Sequence, residues 1–291
     1  MRRIGALMQR QKFDLLWLEY ELFPWLPGWL ELLALSKTTP YLVDYDDAIF
    51  HRYDLHTQPL VRRLLGGKID VVMRHAAMVV VGNEYLRDHA IKAGARRVEI
   101  VPTSVDLMRY PLPVPRRNEV FTIGWIGSPA TTRYLHGVHE ALAEICAHNQ
   151  TKVVLVGASE PGWQDVPHAL HPWTEQTEVA EVSAFDVGIM PLEDSPWERG
   201  KCGYKLIQYM ACGKPVIASP VGVNTRIVEH GINGYLAETT QDWVKALTTL
   251  MADADLRQRM GAAGRAKVER DYSVQVNAPR LAALLHSAAN E

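Results

Sequence analysis

The feature that most restricts this chain is a repeated alternation of short apolar runs with helix-compatible segments. Asp14–Tyr20 (DLLWLEY), Pro40–Tyr45 (PYLVDY), Met78–Gly82 (MVVVG) and Val98–Pro102 (VEIVP) have the length and composition of buried strands. Apolar runs of roughly four to eight residues separated by helices imply a parallel sheet covered on both faces, because parallel neighbours are joined by crossovers that lie on a face. Tyr110–Asn118 (YPLPVPRRN) then breaks the pattern with alternating prolines. Proline fixes φ and disfavours helix at the residue before it, so this stretch reads as an extended linker.

After the linker the alternation restarts. Phe121–Gly127, Lys152–Gly157, Asp186–Pro191, Pro215–Ser219 and Tyr235–Ala237 read as strands. Arg133–Ala147, Thr177–Ala184, Tyr204–Ala211 and Asn224–His230 read as helices, with further helices from about Gln241 to Tyr272 and from Ser273 onward. The expected fold class is therefore α/β, with two doubly wound parallel-sheet domains in series. Residues 1–117 form the first domain, 118–272 the second, and 273–291 a C-terminal helix that packs back on the first. In such sheets a ligand sits at the carboxyl ends of the strands.

Composition narrows the function. Apolar residues make up 47% of the 291, and the formal net charge is -2, so no overall basic excess points to nucleic acid. Cys146, Cys202 and Cys212 are odd in number and lack paired spacing. That argues against a disulfide framework or a structural zinc site and implies a reducing, cytoplasmic setting. No secretory leader is visible after Met1. The apolar stretch Leu22–Leu35 is broken by Pro24, Pro27 and Glu31 and is too short to span a bilayer. It fits either an amphipathic helix packed on its own sheet or a membrane-surface element anchored by Trp25 and Trp29. The segment Arg52–Arg117 carries 12 Lys/Arg against 6 Asp/Glu, an excess that suits an anionic membrane surface or a lipid-diphosphate acceptor.

Three turns could carry chemistry. At Gly127-Ser128, between a strand and a helix, a glycine admits close backbone approach and the helix start offers amides for a phosphate, with Arg133 adding a permanent cation. In Glu193–Gly213 (EDSPWERGKCGYKLIQYMACG), Gly200 and Gly203 bracket Lys201 and Cys202 ahead of a helix whose first turn holds Lys205. The helix dipole disfavours a cation there, so a lysine is better explained by an anion to bind. Gln208 lies three residues on, on the same helix face. The third turn, Ser219–Asn224, reads as mainly structural, with Asn224 as an N-cap.

The segment Asp186–Leu236 strongly resembles the donor-binding core of family 4 (group 1) glycosyltransferases. Ile123–Leu135 (IGWIGSPATTRYL), Val98–Asp106 (VEIVPTSVD) and Val79–Leu86 (VVVGNEYL) resemble further segments of that family. The resemblance implies a GT-B fold of two Rossmann-like domains and a nucleoside-diphosphate sugar as co-substrate. It implies hexosyl transfer with retention and no cofactor or essential metal. A glycan or lipid-linked acceptor would suit bacterial polysaccharide or glycolipid assembly, on the inner face of the membrane. By position, Gly127, Ser128, Arg133 and Lys205 would hold the donor diphosphate. Gln208 would meet the ribose, Gly200, Lys201 and Cys202 the donor sugar, and Trp173 the base.

The departures from the family are specific. Gly200 and Gln208 stand where the family has glutamates, and Ser128 where it has an arginine. The opening βα units of the family are not represented, so the first domain is expected to be incomplete. The acidic run Asp44-Tyr45-Asp46-Asp47 ends a strand. Asp46 occupies the position where the family often has a histidine, and Glu19 ends the preceding strand. Asp46, then Glu19, are the candidate catalytic groups, against the plainer reading that these carboxylates pair with Arg52 or His51. Two other functions stay open. One is a catalytically impaired homologue that binds nucleotide or a partner protein. The other is a sugar-nucleotide epimerase, for which no carboxylate–histidine set is found in the matched segment.

Overall fold

The computed structural model describes residues 12–35, 39–112, 120–148 and 150–290. They divide into two units. The first comprises the described residues up to Thr103, the segment Ser195–Cys202 and the end of the chain from Asn277. The second comprises Ser104–Asp194 and Gly203–Val276.

The first unit is built on four parallel strands, β1 (Leu16–Glu19), β2 (Tyr41–Tyr45), β3 (Met78–Val81) and β4 (Val98–Ile100), lying side by side in chain order. Successive residues of a strand point to opposite faces, and both faces are apolar here. Tyr41, Val43, Tyr45, Val79 and Val81 join one core with Ile69, Val72 and Met73 of the helix Lys68–His75. Leu42, Met78 and Val80 face the other way, against Leu281, Leu284, Leu285 and Ala288 of the last helix, Val274–Ala289. The end of the chain thus closes the second face of the first sheet.

Of the apolar stretch Leu22–Leu35, only Gly28–Ala34 is helical. Pro24 and Pro27 deny the preceding stretch its backbone donors. Residues 20–27 instead form a loop with Tyr20 and Trp25 at positive φ. That loop is pinned by buried charge. Lys68 lies 2.6 Å from Glu21 and 2.9 Å from Glu31, and donates to the carbonyl of Phe23. Glu21 also accepts from the Tyr53 hydroxyl at 2.8 Å, and Glu31 from the amide of Leu22 at 3.0 Å.

The second unit holds six parallel strands, β5 (Phe121–Ile126), β6 (Thr151–Val156), β7 (His168–His171), β8 (Val187–Met190), β9 (Val216–Ala218) and β10 (Gly234–Leu236). Their order is β10-β9-β8-β5-β6-β7, so the winding direction reverses between β8 and β5. A crevice opens at such a reversal because the crossovers on its two sides leave to opposite faces. Sequence reading gives strand β7 no bounds and only implies a short strand ahead of Trp173. It is a partly exposed edge strand, and its sequence HALH carries no apolar run.

The expected helix at Arg133 begins instead as a 3-10 segment, Pro129–Val138, followed by the α-helix His139–His148. The Thr131 and Thr132 hydroxyls donate to the carbonyl of Ser128, which competes with α-helical bonding there. Asn224 is not the N-cap of its helix. Val223 holds that place, and the Asn224 amide donates to the carbonyl of Ser219 at 3.1 Å.

Candidate functional site

In the second unit the carboxyl ends of β5 and β6 carry two glycines in close mutual approach. Gly127 follows β5 and donates its N–H to Val156 at 2.9 Å. Gly157 follows β6 with φ +74°, and a Cβ there would strike the Gly127 carbonyl and come 3.0 Å from Cβ of Trp173. Only glycine fits both constraints. Beside this turn stands Lys205, at the second position of the helix Tyr204–Ala211, with its ammonium 4.8 Å from the ring centre of Trp125. A Cβ on Gly127 would collide with the Trp125 ring and lie 2.7 Å from Lys205 Nζ. The lysine is therefore drawn to the strand end beside the winding reversal. Gly203 makes this possible by entering the helix in the left-handed region, at φ +70°.

Gln208 is buried on the same helix and donates its amide to the Tyr110 hydroxyl at 3.4 Å. Tyr110 in turn donates to Glu178, and the second oxygen of Glu178 accepts from Nε1 of Trp173 at 2.7 Å. Burial and the Glu178 carboxylate push the Tyr110 hydroxyl far up its range, so it remains a protonated donor. Sequence reading misses Tyr110 and Glu178. Tyr110 begins the proline-rich linker, and Glu178 has the appearance of any acidic residue in the first turn of a helix, here Glu178–Ser183.

Ser128 and Arg133 are less directly involved. Ser128 caps the 3-10 segment, and its N–H donates to the Thr131 hydroxyl at 3.0 Å. That amide and the one at Gly127 are therefore already engaged. Arg133 is exposed, with its guanidinium 4.9 Å from the Tyr134 ring centre and one nitrogen 3.1 Å from the Tyr134 hydroxyl. The structure brings together Gly127, Lys205 and Trp173, and it links Gln208 to Trp173 through Tyr110 and Glu178.

Gly200, Lys201 and Cys202 lie in the first unit. The Asn83 amide nitrogen donates to the carbonyls of Gly200 at 2.9 Å and Lys201 at 3.1 Å, while its oxygen caps the helix Glu84–Lys92 through Leu86. A Cβ at Gly200 would overlap Ala48, and one at Gly82 would overlap the Cys202 sulfur. Burial pushes the Cys202 thiol up to about 12, which keeps it protonated and unreactive. Lys201 reaches Asp47 at 3.8 Å. Near the position of the family's first glutamate, Glu198 is buried and accepts from the Ser195 hydroxyl at the start of the short helix Pro196–Arg199.

The carboxyl ends of β1 and β2 gather acids. Glu19 is paired in register with Asp44, and both Glu19 and Asp46 are exposed. Asp46 accepts from the Tyr20 hydroxyl, and Tyr20, at φ +60°, is fixed by the carbonyl of Asp44 and the hydroxyl of Tyr45. A non-glycine residue in the left-handed region is uncommon and is held only by such surrounding bonds. Burial, with Asp46 and Glu19 nearby, raises the Asp44 carboxyl to about 6. Burial also raises Asp47, and Lys201 opposes it. Among the described residues, no three His, Cys, Asp or Glu side chains converge as a metal-holding group.

Residues 120–253 match the family model described as glycosyl transferases group 1. Over 237 residues the chain is 26% identical to the D-inositol 3-phosphate glycosyltransferase of Xylanimonas cellulosilytica, covering 70% of this chain and 55% of that one. It is 31% identical over 100 residues to N-acetyl-alpha-D-glucosaminyl L-malate synthase of Bacillus anthracis, covering 34% of this chain and 25% of that one. The chain thus spans between a quarter and about half of these curated relatives. Solved structures resemble it across 98% of its length, among them two with TM-scores above 0.75. Sucrose-phosphate synthase of Thermosynechococcus elongatus has a TM-score of 0.78 at 19% identity over 76% of that chain. Anabaena HepE in complex with UDP-glucose has 0.77 at 19% identity over 82%. The chain therefore has the GT-B fold, and residues 120–253 are similar to the glycosyl transferases group 1 family.

Proposed function

We propose that the chain transfers a hexose from a nucleoside-diphosphate sugar to a hydroxyl of a glycan or lipid-linked acceptor, with retention of configuration and without a resident metal. The observation that carries this reading is Lys205, a cation in the first turn of its helix, held over Trp125 beside Gly127. The dipole makes that position unfavourable for stability alone, whereas a diphosphate leaving group needs positive charge there. The Anabaena neighbour bound to UDP-glucose and the match to the group 1 family support a nucleotide-sugar donor.

In the transfer, the bond from the anomeric carbon to the diphosphate oxygen breaks, a bond to the acceptor oxygen forms, and the proton of the acceptor hydroxyl passes to the departing diphosphate. Lys205 and Arg133 stabilise the charge that develops on the leaving diphosphate. Gln208 and Trp173 meet the nucleoside. Asp46, with Glu19 second, serves the reacting sugar or acceptor hydroxyl. Gly200 to Cys202 line the donor-sugar side, through their backbone and Lys201.

A peripheral membrane contact belongs to the same proposal. The helix Gly28–Ala34 is inverted relative to an ordinary surface helix. Glu31 is fully buried on Lys68, whereas Trp29 and Leu33 are 59% and 71% exposed. Trp25 packs edge-on to His56, and Arg62 bonds the carbonyls of His56 and Thr57. The helix Pro59–Leu65 exposes Leu60 and Leu64 beside Arg62 and Arg63. Apolar anchors rimmed by arginine suit an anionic lipid surface near a lipid-linked acceptor. Among the described residues, no helix is long and apolar enough to cross a membrane.

The alternative is a homologue that binds nucleotide or a partner without turnover, favoured by Gly200 and Gln208 in place of carboxylates. Calorimetric titration with UDP-, GDP- and ADP-sugars, followed by transfer and donor-hydrolysis assays, separates the two. Binding with turnover supports the transferase and binding alone supports the silent homologue. The absence of any binding overturns the transferase and leaves only the partner-binding form of the alternative.

A further inference from the structure

We infer that Glu178 is a positioning residue for the nucleobase end of the donor site, fixing Trp173 as a stacking platform and orienting Tyr110 beside Gln208. This inference rests on the reading of the second unit as a nucleotide-sugar site.

Glu178 is 4% exposed, so its carboxylate must be satisfied inside the protein. Its described partners are neutral donors. One oxygen takes the indole N–H of Trp173 at 2.7 Å, and the other takes the Tyr110 hydroxyl. Burying an anion on two neutral donors is costly, and a packed apolar residue would serve the fold as well. The geometry explains the expense. Trp173 is 49% exposed even though its indole N–H is engaged, which leaves apolar surface of the residue open to a ligand. At its base, Cβ of Trp173 abuts Gly157, and Gly157 abuts the Gly127 carbonyl beside Lys205. Ring and lysine are thereby fixed to one pair of glycine turns.

Glu178 also reaches the second nucleoside contact. Tyr110, 2% exposed, donates to Glu178 and accepts from Gln208 at 3.4 Å. The carboxylate commits the Tyr110 proton, which leaves that oxygen as acceptor and sets which way the Gln208 amide faces. Gln208 thus presents its amide with a defined sense, and the charge missing at residue 208 is held two hydrogen bonds behind it, at residue 178. An aromatic face tied by its edge meets a base by stacking, and every base offers a face to stack. Stacking energy should therefore be shared across bases, and it should vanish for a ligand that has none.

The test titrates UDP, GDP, ADP and inorganic pyrophosphate into the full chain and its E178Q, W173F and W173A variants. Wild type is expected to bind at least one of the nucleotides more tightly than pyrophosphate. W173A should weaken that nucleotide by about 5- to 150-fold, the range of a lost stacking contact, and E178Q by about tenfold, the scale of a charge-assisted hydrogen bond. Pyrophosphate affinity should stay within about twofold in each variant, which a general loss of structure would not allow. In the W173F background, E178Q should have a smaller effect than in wild type, because the bond it weakens is already gone. If E178Q does not fold, W173F alone carries the test through the same selective loss of nucleotide over pyrophosphate. Nucleotide affinity unchanged in E178Q, or pyrophosphate weakened equally, overturns the role of Glu178 alone. A wild type that binds none of the nucleotides overturns the nucleotide-sugar reading and this inference with it.

Discussion

Lys205 holds its ammonium 4.8 Å from the ring centre of Trp125, close enough to Gly127 that a single added methyl would stand 2.7 Å from the nitrogen. The aromatic ring holds the cation at the strand end through a cation–π contact. Replacing Lys205 with alanine should lower kcat/KM by about 10²–10³ while the melting temperature is retained. Gly127→Ala should produce a similar loss by displacing the lysine. Steady-state kinetics on both variants, with thermal melts as the control, checks this. Unchanged turnover in Lys205→Ala would mean that the diphosphate lies elsewhere.

Asp44 predicts a pH dependence of stability. Its carboxyl is raised to about 6 in the fold from an ordinary value of 3.8, chiefly by burial. Between those values the folded state binds more protons than the unfolded chain, so stability falls as pH rises through the window. Asp44→Asn removes the penalty. It should stabilise the protein by about 1–2 kcal/mol at pH 8, allowing for partial exposure, and have little effect at pH 3.5. Melting temperatures from pH 3.5 to 8 decide it, and a gain that is the same at every pH would exclude titration of Asp44 as the cause.

Lys68 bridges two buried carboxylates, Glu21 and Glu31. Removing the ammonium they share leaves uncompensated charge in the core of the first unit. Lys68→Met should therefore cost about 3–5 kcal/mol in urea unfolding. Adding Glu31→Gln to that variant should restore part of the loss. A mild effect of Lys68→Met would show that water or another group reaches the carboxylates.

The exposed Trp29 and Leu33 predict sedimentation with vesicles containing anionic phosphatidylglycerol, and little with pure phosphatidylcholine. Trp29→Ser/Leu33→Ser should abolish that binding. Arg62→Glu/Arg63→Glu should weaken it in a way that added salt mimics, since the charge component is screened within about 10 Å at 0.1 M salt. Equal binding to both vesicle types would remove the electrostatic component.

Much of the architecture was readable from sequence because β-branched runs such as Met78–Val81 and Thr151–Val156 signal buried parallel strands. What was not readable shares one cause, dependence on distant partners. The edge strand His168–His171 takes its identity from pairing with β6, not from its own residues. Asn83 fixes Gly200 across a separation of 117 residues, and Tyr110 meets Glu178 across 68. Neither separation leaves a periodic signal. Lys205 was legible because its position at a helix start conflicts with local electrostatics, and such a conflict shows in the sequence itself.

The first unit borrows its closure from late in the chain. Leu281, Leu284, Leu285 and Ala288 cover Leu42, Met78 and Val80, and Cys202 fills the space that Gly82 leaves for it. During synthesis the ribosome must therefore reach Ala288 before that sheet can bury its second face. Until then it would present bare valine and methionine to any chaperone or neighbouring nascent chain. A library that divides the gene between the units would inherit the same exposed surface, so a fragment carrying the first sheet should include the helix Val274–Ala289.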